Sequence, residues 1–213
     1  MDIGLYTLKL PFRKLIGSLL PPCKNISPNT ISWALIPVGV GTAYVYVQAL
    51  RFGCDGCLLL GIALGFLRMV VATLDGLVAV TYGKSTCEGD LINRLTPELC
   101  DLMLYPTLLW ATGHLDLLGL IVLTMAWATS FFGLLGTPSG CPPQSVGPVG
   151  QTDRLATLML FSFFEFLGRK FQWEIKFLDI FFYWLIIGGV ITLILRFVRH
   201  LRAVRKQDQR VSS

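Results

Sequence analysis

Asp75 closes an apolar run, Ala72-Thr73-Leu74-Asp75-Gly76-Leu77-Val78-Ala79-Val80, and the next apolar run opens with Asn93, Arg94, Pro97, Glu98 and Asp101. A charge at membrane depth is costly and marks function unless a partner neutralises it, so this acidic cluster is the first candidate site. Arg68 lies seven residues before Asp75, two helical turns away on nearly the same face. An ion pair from Arg68 to Asp101 or Glu98 is the structural alternative for the whole cluster. A second motif, Cys54-Asp55-Gly56-Cys57, has the spacing of a redox pair or of half a zinc site. There is no second such motif, and the only histidines are His114 and His200. The pair therefore reads as small apolar residues at a membrane edge.

The elements that must position these residues follow from composition. Of 213 residues, 54% are hydrophobic and 15% charged, against about 25% charged in an ordinary soluble domain. The mean hydropathy is +0.64. Intrinsic disorder, which needs high charge and low hydrophobicity, is excluded, and a water-soluble globule is disfavoured. The pattern predicts an all-α polytopic membrane protein, a bundle of about six transmembrane helices. The apolar stretches run about Ile31–Leu50, Cys57–Thr81, Leu91–Gly113, Leu115–Gly136, Leu155–Gly168 and Phe177–Val198. The fifth is short for a hydrocarbon core of about 30 Å and needs its flanks to reach across. Residues 1–26 read as an interfacial segment, because Leu5 to Ile16 mixes apolar and basic residues and offers no signal-peptide cleavage site. Residues 27–199 form the membrane domain and 200–213 a basic tail.

Lysine and arginine set the orientation. With both termini cytoplasmic, 13 of these residues lie on the cytoplasmic side and four (Arg51, Arg169, Lys170, Lys176) outside, with Arg68 inside a span. The formal net charge of +5 then belongs to a basic membrane edge that faces anionic lipid. No separate basic domain exists for nucleic acid.

On the residues around Asp75 the sequence resembles the CDP-alcohol phosphatidyltransferases, six-span enzymes that move a phosphatidyl or similar group from a CDP-linked donor to an alcohol and release CMP. Their signature is D-x2-D-G-x2-A-R-x8-G-x3-D-x3-D. Placing Asp75-Gly76 on its central pair puts Ala79 and Gly89 on the later alanine and glycine without a gap. Ser27-Pro28-Asn29-Thr30-Ile31-Ser32 is similar to the family's Pro-Asn-x-Ile/Leu-Thr ahead of the first span. The resemblance covers roughly Asn25 to Val198. It implies a CDP-linked lipid donor, membrane lipids as partners, a homodimer, Mg2+ or Mn2+ as cofactor, and substrate contacts from Gly76, Ala79, Gly89 and Arg154.

The departures from the signature fall on its chemistry. Ala72 stands at the first aspartate, Val80 at the arginine, Asn93 at the third aspartate and Pro97 at the fourth, which the family uses as general base. A hard cation held by one carboxylate and one amide is weakly bound, and proline takes no proton. Asp90, Asn93, Pro97 and Asp101 share one helix face, with Asp90 about 4.5 Å below Asn93 and Asp101 about 6 Å above Pro97 along the axis. A relocated metal site from Asp75, Asp90, Asn93 and Asp101, with Glu98 or Asp101 as substitute base, is thereby conceivable. Thr96-Pro97-Glu98 carries a helix-start signal. A span from Leu91, about 34 Å long, crosses the core better than one from Pro97, so a helix kinked at Pro97 is expected.

The segment from Thr137 to Arg154 holds four prolines. Within it, Gly147-Pro148-Val149-Gly150-Gln151-Thr152-Asp153-Arg154 is similar to a Gly-Pro-x-Gly-Lys-x-x-Arg stretch in some relatives, with Gln151 replacing the lysine. Arg154 there contacts a phosphate, or Asp153 simply caps the fifth span. Glu165 and Asp179 are expected to pair with Arg169, Lys170 or Lys176. Three functions follow: a headgroup transferase with a rearranged site, a catalytically silent relative that binds lipid, nucleotide or a partner, and a small transporter. No internal repeat between the two halves supports the transporter.

Overall fold

The computed structural model describes residues 9–211, and among them every regular element is a helix. That is the expected outcome for long apolar segments, because in lipid the backbone must satisfy its own hydrogen bonds. A short helix α1 (Lys9–Ile16) leads through two 3-10 turns into α2 (Pro28–Trp33) and α3 (Leu35–Arg51). Then follow α4 (Asp55–Thr81), α5 (Cys87–Thr112), α6 (Leu117–Leu134), α7 (Gln151–Lys170) and α8 (Phe177–Val211). The chain is a polytopic membrane protein. Four stretches, Pro28–Arg51, Asp55–Thr81, Leu117–Ser139 and Phe177–Gln209, are long and apolar enough to cross a bilayer. Helices α5 and α7 follow the expected third and fifth spans but hold buried charges, including Asp101 and Arg154.

Local chemistry accounts for the boundaries. The first span is broken at Ala34 into α2 and α3, since Pro37 has no N–H to offer the Trp33 carbonyl one turn back. Helix α5 begins at Cys87 with Thr86 as its cap, the hydroxyl accepting the Gly89 N–H at 3.0 Å. It runs through Pro97 and Pro106 to Gly113, whose φ of 90° ends it in the left-handed region that favours glycine. Thr96 is therefore inside the helix and not at its start. Helix α7, at the expected fifth span, gains flanks on both sides and reaches 20 residues, about the length that a 30 Å core needs. Helix α8 continues through the basic stretch that the sequence suggests is a separate tail, and its 35 residues span about 52 Å. Residues 1–8, with Leu5 to Leu8 of the expected interfacial stretch, lie outside the described residues. Lys9–Ile16 of that stretch forms α1.

Cys54 and Cys57 are joined by a disulfide at the start of α4, so the pair is covalently closed and not merely apolar. The Asp55 carboxylate beside it meets Arg169 of α7 at 3.3 Å. Arg169 also bonds the Ala49 carbonyl at 2.8 Å and pairs with Glu165 at 3.3 Å. Asp179 takes His114 at 3.0 Å instead of a lysine or arginine.

Helix α3 packs on α4 and α5, α4 on α7, and α8 on α6 and α7. The shared core includes Tyr46, Leu58, Leu104, Tyr105, Leu108, Phe181 and Phe182, all buried. At Gly39 a Cβ would stand 2.7 Å from the Cys100 sulfur, so only glycine permits the α3–α5 approach. Tyr46 Oη and Ser162 Oγ, 2.7 Å apart, satisfy each other inside this core.

A buried ionic tie holds four helices together. Asp101 of α5 accepts from Arg68 of α4 at 2.5 Å on one oxygen and from Arg154 of α7 at 2.7 Å on the other. Arg154 also donates to the Ala126 carbonyl and the Thr129 hydroxyl of α6, at 2.5 and 2.6 Å. Removing one partner of a buried ion network strands the other charge and costs about 3–5 kcal/mol. Asp101→Ala should therefore lower stability by about that amount in SDS titration of the detergent-purified protein. Unchanged unfolding would show that the tie carries no load.

Candidate functional site

Five of the residues that the signature alignment singles out, Ala72, Gly76, Val80, Asn93 and Pro97, line a cavity of about 970 Å3. Helix α4 supplies Ala72, Gly76 and Val80, one stripe at i, i+4 and i+8, and α5 supplies Asn93 and Pro97. Gln151, at the start of α7, also lines it, with Phe12 and Arg13 of α1 at another edge. Trp127 and Phe131 of α6 and Phe66 and Met69 of α4 give it apolar walls. Arg13, Arg68, Arg94 and Arg196 line it as cations, Glu98 and Asp153 as carboxylates. A mainly apolar cleft with a few convergent polar groups is the usual form of a small-molecule site, and here its chemistry suits an amphiphile with an anionic head.

The candidate acids are dispersed, each to its own partner. Asp75 is 1% exposed and faces away from the cavity. One oxygen accepts Ser32 Oγ of α2 at 2.5 Å, and the other accepts the Gly76 N–H at 2.5 Å. Asp90 is exposed and paired with Arg94 at 2.9 Å. Asp101 is enclosed by Arg68 and Arg154, which is the structural ion pair that the spacing of Arg68 suggested, with a second arginine added. Glu98 alone of the α5 acids reaches the cavity with its side chain 35% exposed. It accepts from Gln151 at 3.0 Å and stands 4.0 Å from Arg154.

These donors do not fit a divalent ion. The wall offers a methyl group at Ala72, an amide at Asn93 and a pyrrolidine ring at Pro97, while the Asp75 carboxylate is already engaged by Ser32. Hard cations need several oxygen ligands of which carboxylates supply the charge. Among the described residues, no three Asp, Glu, His or Cys side chains gather closely enough to hold a metal.

Arg154 has no exposed side-chain surface; its two terminal nitrogens donate to Asp101, Thr129 and the Ala126 carbonyl, while its Nε has no hydrogen-bond partner among the described residues. Asp153 accepts the Gly150 N–H at 3.1 Å, the reach-back bond of a helix start. Gly89 lies against Asn29, whose Oδ1 would stand 3.1 Å from an added Cβ, so the two sequence features that flank the site touch. Ala79 is half-buried on α4 and does not line the cavity.

Sequence reasoning missed two parts of this site. Ser32 as the Asp75 partner was legible only as a member of the Pro-Asn stretch. Arg196, counted among cytoplasmic cations, is buried and donates to the Val146 carbonyl at 2.9 Å and to the Thr129 carbonyl. Its signal was present, since an arginine inside an apolar run needs local acceptors.

No family model matches the chain. It is 32% identical over 151 residues to a protein named inner membrane protein YnbA from Escherichia coli strain K12, across 67% of this chain and 72% of that one. Among solved structures it matches the crystal structure of Mycobacterium tuberculosis phosphatidylinositol phosphate synthase (PgsA1) with CDP-DAG bound. The TM-score is 0.64 at 17% identity, over 89% of this chain and 92% of that chain. At that identity the likeness is one of fold.

Because Ser32 Oγ is the side-chain donor to a buried carboxylate, Ser32→Ala should cost about 1–3 kcal/mol. Thermal unfolding in detergent checks this. A variant as stable as the original would mean that Asp75 is satisfied elsewhere.

Proposed function

The chain belongs to the family of inner membrane protein YnbA, and from that premise and its fold we propose that it binds a CDP-linked or related phosphate-bearing lipid in the α4–α5 cavity without metal-dependent headgroup transfer. The observation that carries this reading is the cavity wall itself: Ala72, Asn93 and Pro97 line it where the family signature has metal-binding and proton-accepting aspartates. What remains is a pocket with cationic edges and aromatic and aliphatic walls, a chemistry that holds a lipid head and chain without polarising the bond between them. In phosphoryl transfer most of the rate comes from positioning and charge stabilisation, and this wall lacks the ligands for the cation that supplies the latter. Membrane lipids are then both solvent and ligand.

The same reading keeps both termini cytoplasmic. The 13-to-4 distribution of lysine and arginine supports it, as does the Cys54–Cys57 disulfide on the opposite side, where thiols oxidise. A homodimer follows from the family resemblance.

A second reading, headgroup transfer, is favoured by one residue. Glu98 is a partly exposed carboxylate on the cavity wall, one position beyond Pro97, and could serve as a base. The two readings separate on a single preparation. Purified protein should bind radiolabelled CDP-diacylglycerol saturably in EDTA. It should release no CMP with glycerol, glycerol phosphate or inositol in the presence of Mg2+ or Mn2+. CMP release that Glu98→Gln abolishes would establish the transferase instead, and failure to bind the lipid would remove both.

A further inference from the structure

Arg68 is 2% exposed, sits near the middle of α4 and forms part of the cavity wall. Its guanidinium is satisfied on one side only. Nη2 donates to the Pro97 carbonyl at 2.7 Å and to Asp101 at 2.5 Å, whereas Nη1 is buried with no hydrogen-bond partner among the described residues. A guanidinium is always charged and carries five donors. Leaving one of its nitrogens buried and unpaired costs free energy, so the position calls for an acceptor that the described residues do not provide.

The surrounding acids are already engaged. Asp101 divides its two oxygens between Arg68 and Arg154. Glu98 is held by Gln151 and faces Arg154, and Asp153 accepts from Gly150. One turn along α4 from Arg68 stands the methyl group of Ala72, and across on α5 the ring of Pro97. Neither competes for the cation. The other buried cation lining the cavity, Arg196, spends donors on the carbonyls of Val146 and Thr129. Arg68 is therefore a fixed positive group beside the positions from which metal-binding carboxylates are missing.

We propose that Arg68 holds an anionic phosphate oxygen of a membrane lipid in this cavity, so that a guanidinium takes the place of a divalent ion in recognising the head. This rests on the lipid-binding reading above for the identity of the occupant and adds the residue and the chemistry that hold it. Arg–phosphate bonds are charge-assisted and directional, and they strengthen where water is excluded. The apolar walls at Phe66, Met69, Trp127 and Phe131 favour a phosphate that carries acyl chains over the free ion.

The test uses the full chain purified in dodecylmaltoside with EDTA throughout and radiolabelled dioleoyl phosphatidic acid as probe. Binding should be saturable, and Arg68→Lys, which can still face Asp101 but has a single nitrogen, should weaken it at least tenfold. Because that variant touches the ionic tie and can fail to fold, Ala72→Asp provides the second arm. It places a carboxylate one turn from Arg68, leaves the Asp101 pair in place, and should also weaken binding at least tenfold with unchanged gel-filtration elution. Millimolar inorganic phosphate should not displace the lipid. Displacement by it would assign the site to the free ion and overturn the lipid proposal. Binding lost in EDTA, or affinity unchanged in Ala72→Asp, overturns it as well. Protein that binds phosphatidic acid through Arg68 but not CDP-diacylglycerol keeps this site and removes the CDP-lipid reading. CDP-diacylglycerol binding that survives in Ala72→Asp does the reverse.

Discussion

The carboxylate of Asp101, shared by two buried arginines, is the constraint around which the bundle is arranged. It joins α4, α5 and α7 directly and α6 through Arg154, four helices whose apolar surfaces alone would pack in several registers. In lipid the hydrophobic effect does not choose among such registers, because the tails outside are as apolar as the side chains inside. A buried polar network does choose, since a misregistered bundle would leave charges without partners. The position of every cavity residue, from Ala72 to Gln151, depends on that choice. The charges are costly, and their use here is to fix geometry.

This tie stands apart from the positions that the sequence aligns with the signature. The ionic tie uses none of the signature positions except the backbone carbonyl of Pro97, which any residue would supply. Side chains at 72, 80, 93 and 97 can therefore vary without loosening the helices. Asp75, the remaining aspartate of that signature, has a structural role: with Ser32 it joins α4 to α2. Retention of a residue is in this case no evidence of retained catalysis.

Much of the architecture was legible in the sequence. The six apolar stretches all became helical, the first as the pair α2 and α3, because hydrophobic runs of that length have few other ways to satisfy their backbone. The Arg68 spacing foretold its partner, since a cation at that depth needs a carboxylate on a neighbouring helix. The helix limits were less legible. Helix α5 starts at Cys87, ahead of the Leu91 that the apolar run suggests, and residues 200–213 read as a basic tail although α8 continues through them to Val211. The direction of Asp75 was hidden, because which face of α4 meets α2 depends on the break at Ala34 and the placement of Ser32. Dispersal of the acids was equally invisible. Spacing along α5 places Asp90 and Asp101 on one face, but it does not reveal that Arg94 and Arg154 claim them first.

The short helix α1 bears on how such a cavity would be filled. Phe12 meets Phe66 edge-on, with ring centroids 6.1 Å apart, and Phe12 and Arg13 line the cavity. On the proposed lipid-binding reading, and if α1 lies at the headgroup level as its mixed apolar and basic sequence suggests, a lipid would arrive by sliding sideways within its leaflet past the edge of that segment. Occupancy would then follow the mole fraction of the lipid in the leaflet and the lateral pressure on α1, not a concentration in water. The composition and curvature of the host membrane would thereby set how fully the protein is loaded.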